Sequence, residues 1–221
     1  MQNIGYYTNS RSEVYDKLIL DIEFLRIMKA TDQSISMLEL GSGSGAFFQN
    51  FDANKIDYTG VDNTQKAVTI GKDKNLNIVC RNWDVFLKEN KRKFDVLVIN
   101  DFMEHVDDHS VFLKKAYEAI VPGGIIIGSV PNLRFSPVLI NLLIKRDFKY
   151  HTHGVLDETH LRFFTKRSLS RSLTENNFKI SSLSMLNKIK SKSFKDFIAL
   201  VASFLLGTDS KFQQIFFVGV K

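Results

Sequence analysis

Apolar residues first recur with a helical period: Val14, Leu18, Ile22, Leu25 and Met28 form one stripe, and Ser10 and Glu13 have capping-box spacing at its start. This predicts an N-terminal helix ending near Lys29. Beyond it the pattern changes. Five short apolar runs follow, Met37 to Leu40, Tyr58 to Val61, Asn77 to Cys80, Phe94 to Ile99 and Ile125 to Val130, separated by stretches long enough for crossover helices. Continuous apolar runs alternating with helices describe a parallel sheet covered on both faces. Ala46 to Phe51, Gln65 to Lys72 and His109 to Ile120 supply the helices, and Pro122, Gly123 and Gly124 stop the last of them.

From Pro131 the pattern breaks. A Leu- and Ile-rich segment, Val138 to Ile144, precedes a His-rich stretch, which predicts a lid over the sheet. A helix over Lys166 to Asn176, with Ser168 as an alternative start, leads into a strand from Lys179 to Leu186, and Phe194 to Leu206 reads as a last amphipathic helix. Phe212 to Val220 is apolar enough to be a central strand, so the C-terminus is expected inside the sheet. With no repeat or linker, residues 1–221 are expected to form a single domain: 1–30 an N-terminal helix, 31–130 a ligand-binding βα core, 131–165 the lid, and 166–221 C-terminal helices and strands.

Composition narrows the class. The chain has 221 residues, 44% hydrophobic and 24% charged, within the range of one ordinary globular domain rather than a disordered or fibrous chain. A net charge of +6 permits an anionic ligand without requiring one. Cys80 is the only cysteine, so no intrachain disulfide or cysteine-based zinc site can form, and a reducing, cytoplasmic location is expected. The first residues lack the pattern of a secretory signal, and the longest apolar run, Phe197 to Leu206, is too short to span a membrane. Lys88, Lys91, Arg92 and Lys93, and later Lys188, Lys190, Lys192 and Lys195, read as solvated faces, and no nucleic-acid partner is expected.

The chemistry concentrates at strand ends. Glu39, Leu40, Gly41, Ser42, Gly43, Ser44 and Gly45 fall where the first strand meets the next helix, and glycines there let backbone approach a nucleotide-like ligand. The second strand ends in Asp62, in register to accept ribose hydroxyls. Asn82, Trp83 and Asp84 follow the third strand, where a carboxylate can accept from an adenine amino group and an indole can cover the ring; a core aromatic explains Trp83 equally well. Gly41, Gly43 and Ala46 also satisfy a dinucleotide fingerprint, but the chain offers no second half-sheet or hydride-transfer site for an NAD oxidoreductase.

The order LELGSGSG, GVD, NWD, FDVLVINDFMEHV and VPGGIIIGSVPN resembles the class I S-adenosylmethionine-dependent methyltransferases. The resemblance implies a Rossmann-like α/β fold with seven strands, the last antiparallel. It places Gly41, Ser42, Gly43 and Gly45 under the methionine part of S-adenosyl-L-methionine, with Glu39 orienting the loop. Asp62 and Asn63 would meet the ribose, Trp83 and Asp84 the adenine, and Asn100, Asp101 and His105 would border the cofactor. The stretch PNLRFSPVLINLLIKRDFKYHTHGVLDETHLRFFT, with Tyr6, Tyr7 and Arg11, resembles a bacterial subset associated with glycan building, which implies a sugar or other small-molecule hydroxyl acceptor and a role in polysaccharide biosynthesis.

Asp157, Glu158, His160 and Arg162 gather acid, base and cation in that stretch. His160 is the expected base, Arg162 a ligand for the acceptor, and His105 a further catalytic candidate; fastening the lid is the structural alternative for His160 and Arg162. Asp101, Glu104 and His105 resemble the metal-binding E-x-x-E-H segment of ubiquinone-synthesis methyltransferases, with Asp in the first place. The expectation is nevertheless no metal, with Glu104 beginning the next helix. Methyl transfer to nitrogen or RNA, and a protein that binds the cofactor without turnover, remain the alternatives.

Overall fold

The computed structural model describes residues 34–51, 54–190, 200–201 and 203–221. The expected helix over 10–29, Tyr6, Tyr7 and Arg11, and most of the expected helix over 194–206 lie outside these residues. The sheet is built from β1 (Ile35–Leu40), β2 (Ile56–Asp62), β3 (Ile78–Cys80), β4 (Phe94–Asn100), β5 (Ile120–Pro131), β6 (Lys179–Lys188) and β7 (Phe212–Val220). The helices are α1 (Gln65–Asp73), α2 (Trp83–Glu89), α3 (His109–Ala119), α4 (Ser136–Leu143) and α5 (Lys166–Glu175). Strand order is β3-β2-β1-β4-β5-β7-β6. β1 to β5 pair in parallel, and β7 runs antiparallel between β5 and β6. This is the expected seven-stranded Rossmann-like sheet, with the last strand of the chain inside it.

The apolar runs are continuous because both faces of the sheet are covered. Along β4, Leu97 and Ile99 join a cluster with Phe112, Leu113 and Ala116 of α3 and Leu169 and Leu173 of α5, whereas Val96 and Val98 face Phe47, Phe48 and Val68. Successive side chains point to opposite faces. Each fully buried Val, Leu or Ile contributes about 1.5–3 kcal/mol of transfer free energy, so a polar residue on either face would be costly.

Three local expectations change. Ala46 to Phe51 is not an α-helix; only a 3-10 turn, Phe48–Asn50, forms, and Phe48 stacks on Tyr58 with ring centroids 4.1 Å apart. Aromatic packing overrides local helical period there. Asn82 to Asp84 begin a helix that the apolar pattern missed, α2, whose N-terminus is capped by the Asn82 side chain accepting from the Asp84 amide at 2.9 Å. Finally, α3 ends at Ala119 and runs directly into β5. Pro122 to Gly124 sit within that strand where its register against β4 jumps from Phe94↔Ile120 to Val96↔Ile125.

Candidate active site

Gly41, Gly43 and Gly45 adopt φ values of 68°, 53° and 72°, a left-handed region costly for other residues. The Gly41 and Ser42 amides donate to the Val61 carbonyl at 2.9 and 3.2 Å, hanging the loop from β2. Asp62 completes the attachment: one carboxylate oxygen accepts from the Gly43 amide at 2.9 Å, the other from the Thr64 amide and hydroxyl at 2.9 and 2.6 Å. Glu39, buried beneath, accepts from the Tyr58 hydroxyl at 2.7 Å. A Cβ at Gly41 would lie 2.8 Å from the Phe102 ring and one at Gly45 2.4 Å from Leu76, but a Cβ at Gly43 would meet nothing within 4 Å. The middle of the loop is therefore open above its backbone, with Asn63 exposed at its rim.

The turn after β4 touches this loop through Phe102. Asn100, at the end of β4, has both side-chain polar atoms buried with no hydrogen-bond partner. Asp101 (φ 47°) turns toward the C-terminal strand: its carboxylate accepts from Gln214 at 2.8 and 2.9 Å and from the Ser129 hydroxyl at 2.9 Å. Trp83 packs edge-on against Phe112 at 5.1 Å, and Asp84 pairs with Lys115. The fold thus ties Asp84 to α3, a link that spacing could not reveal.

A second cluster forms beyond Phe102. Glu104 does not begin α3: it lies in the 3-10 turn Met103–His105, and α3 is capped by Asp108, whose carboxylate accepts from the Ser110 and Val111 amides. The Glu104 carbonyl accepts from the Leu161 and Arg162 amides at 2.7 and 3.0 Å, stapling the 131–165 insert to this turn. His105 Nδ1 lies 3.1 Å from the Thr159 carbonyl and His160 Nδ1 3.0 Å from the Val155 carbonyl, and the two rings are 4.9 Å apart. A carbonyl can only accept, so each Nδ1 carries a proton, and in the neutral ring that tautomer leaves the lone pair on Nε2. The Glu104 carboxylate is 1% exposed, and neither oxygen has a hydrogen-bond partner. Burial, reinforced by the Asp101 carboxylate, raises its pKa well above the ordinary value.

Burial lowers the His160 pKa, which favours the neutral ring. Burial alone would raise Asp157, but the Thr159 hydroxyl and amide hold its carboxyl below the ordinary range. The exposed Arg162 guanidinium donates to the Asp107 and Leu161 carbonyls and so fastens the insert. His151 and His153 lie exposed on the insert, away from this cluster's hydrogen bonds.

A glycine loop tied to a carboxylate at the end of β2, at the carboxyl ends of a seven-stranded sheet with an antiparallel strand β7, is the arrangement in which open α/β sheets bind nucleotide-like ligands. The particular family follows from direct comparison: the model of a methyltransferase domain matches residues 11–183, and the chain belongs to that family. A ubiquinone biosynthesis O-methyltransferase of Coxiella burnetii is 25% identical over 127 residues, covering 52% of this chain and 54% of the relative. An (S)-coclaurine N-methyltransferase of Papaver somniferum is 29% identical over 132 residues, covering 57% of this chain and 38% of the relative. The chain thus spans about half or less of the length of these curated relatives. The fold resembles that of a SAM-dependent methyltransferase from Archaeoglobus fulgidus, with TM-score 0.65, 20% identity and coverage of 94% of this chain and 93% of the other. S-adenosylmethionine is the cofactor of this class, and the residues present are compatible with it: the backbone is open at Gly43, the Asp62 carboxylate stands at the end of β2, and the Asn100 amide is buried without a hydrogen-bond partner.

Proposed function

We propose that the protein transfers a methyl group from S-adenosylmethionine to an oxygen of a small acceptor, a hydroxyl of a sugar or related metabolite. The observation that carries this reading is the convergence of Glu104, His105 and His160 at the turn after β4, whose Phe102 reaches the glycine loop, because an imidazole there can take the proton that an acceptor hydroxyl must lose. The bound cofactor supplies a methyl group already activated by its sulfonium. The chain's own residues do the rest. The Gly41 to Gly45 backbone and Asp62 hold the nucleoside and methionine ends, with Glu39, Asn63 and Asn100 around them. Val138, Val155 and Leu156, packed together in the insert, exclude water from the acceptor side as a lid would. His160, with His105 beside it, accepts the proton, while Arg162 at the rim meets anionic or polyhydroxylated acceptors. The glycan-building resemblance of the 131–165 insert supports a sugar hydroxyl; the relative that methylates nitrogen makes amines the comparison substrates.

Calorimetry and a labelled-methyl assay test this. S-adenosylhomocysteine should bind and NAD should not, and Asp62→Ala should weaken binding by about 1.5–3 kcal/mol, the range for hydrogen bonds to a charged group. Nucleotide sugars and lipid-linked glycans should accept label in preference to matched amines. Label appearing only on amines would overturn the oxygen assignment.

A further inference from the structure

We propose that Glu104, His105 and His160 form a site for one divalent metal ion of the zinc or manganese type, which would hold the acceptor oxygen; this rests on the oxygen-methylation reading above. One ligand atom from each residue lies within 4.8 Å of the other two. Around an ion at about 2.0–2.2 Å from each ligand, such atoms stand roughly 3–4 Å apart, so a small side-chain adjustment closes the set. Each Nδ1–H is committed to a backbone carbonyl, the contact that orients a ligating histidine and leaves Nε2 as the nitrogen that would take the ion. The Glu104 carboxylate is buried with neither oxygen partnered, a group that a cation would satisfy and that hydrogen bonds within the described residues do not. The Asp101 and Asp157 carboxylates add negative charge around it.

The site is preformed by backbone. The Leu161 and Arg162 amides bind the Glu104 carbonyl, so His160 is held against the turn whether or not an ion is present. The ligand set also differs from the one that the D-x-x-E-H spacing suggests: Asp101 is engaged by Gln214 and Ser129, and His160 of the insert takes the third place. One carboxylate and two imidazoles suit zinc, manganese or iron rather than calcium, and three protein ligands leave a position open. An acceptor hydroxyl there becomes more acidic. With the ion in place His160 and His105 serve as ligands, and the role of base that His160 has in the metal-free site passes to water: water takes the proton, the acceptor oxygen forms the bond to the methyl carbon, and the S–CH3 bond breaks with its electron pair on sulfur; nothing is oxidised or reduced.

The test is direct ion binding to the full chain after EDTA treatment and dialysis, by calorimetry with zinc chloride and separately with manganese chloride. One ion should bind per chain. Glu104→Gln and His160→Gln should each weaken it by roughly tenfold or more, with S-adenosylhomocysteine affinity and a single cooperative melting transition retained as the check that both variants fold. Cobalt should give visible absorption bands that weaken in His160→Gln. A chain that binds S-adenosylhomocysteine but takes up no stoichiometric ion would overturn the site, as would ion binding unchanged in both variants. Failure to bind S-adenosylhomocysteine would instead count against the methyltransferase reading, independently of the ion titration.

Discussion

Gly43 and Gly45 stand two residues apart in one loop, with similar backbone angles, yet their surroundings differ in kind. An alanine at either position pays left-handed strain of about 1–2 kcal/mol. At Gly45 its Cβ would also press on Leu76 at 2.4 Å and Ile78 at 3.3 Å, and overpacking of this kind adds roughly 1–3 kcal/mol. At Gly43 the Cβ has room in the protein but would enter the space proposed for the cofactor. Gly45→Ala should therefore lose clearly more stability in urea denaturation, and Gly43→Ala should lose S-adenosylhomocysteine affinity at a smaller cost in stability. Equal losses of stability in the two variants would contradict this division.

Among the elements, α5 shows how a local signal becomes a packed unit. Thr165 caps the helix by accepting from the Ser168 amide at 3.2 Å, and the Ser168 hydroxyl accepts from the Thr165 amide at 2.9 Å. This reciprocal cap fixes the start at Lys166 and makes Ser168 the third helical residue, so that Leu169 and Leu173 reach the core fully buried. Thr165→Ala should destabilise the protein by about 1 kcal/mol, read as a lower denaturation midpoint with unchanged slope. A change in slope would show that the cap governs more than this helix end. The expected helix at Ala46 to Phe51 had no comparable cap: no side chain caps the turn that forms, and the neighbouring aromatics decide its shape.

For the whole molecule, the cluster of Glu104, His105 and His160 links folding to pH. Glu104 titrates well above its ordinary 4.5, because of burial and then the nearby Asp101 and Asp157 carboxylates. The folded state thus holds a proton that the unfolded chain releases. The stability this contributes is present below about pH 4.5 and is lost as pH rises toward the folded value. His160 acts oppositely: burial lowers it from 6.5, so its contribution is present above that pH and fades as pH falls. In metal-free protein, Glu104→Gln should therefore gain in melting temperature relative to the parent chain as pH rises from about 4.5 to 8. A constant difference across that range would mean that the carboxyl ionises alike in folded and unfolded chains.

What the sequence determined by itself are the features encoded within a few residues. The apolar runs marked the β-strands, including β7 as a buried strand, because side-chain period and continuous hydrophobicity are properties of neighbouring positions. The glycines of Gly41 to Gly45 and the acid at Asp62 were legible for the same reason, since turn chemistry is local and the register between two adjacent parallel strands is nearly fixed. Tertiary structure alone decided which distant side chains meet. Asp101 is bound by Gln214, 113 residues away, and Asp84 by Lys115 across two helices. Glu104 and His105 join His160 only because the insert's backbone returns to the turn after β4. Such pairings depend on strand order and on the path of a loop, which carries no period to read, so the same residues that spacing grouped as Asp101, Glu104 and His105 are divided by the fold between a structural tie to Gln214 and a cluster with His160.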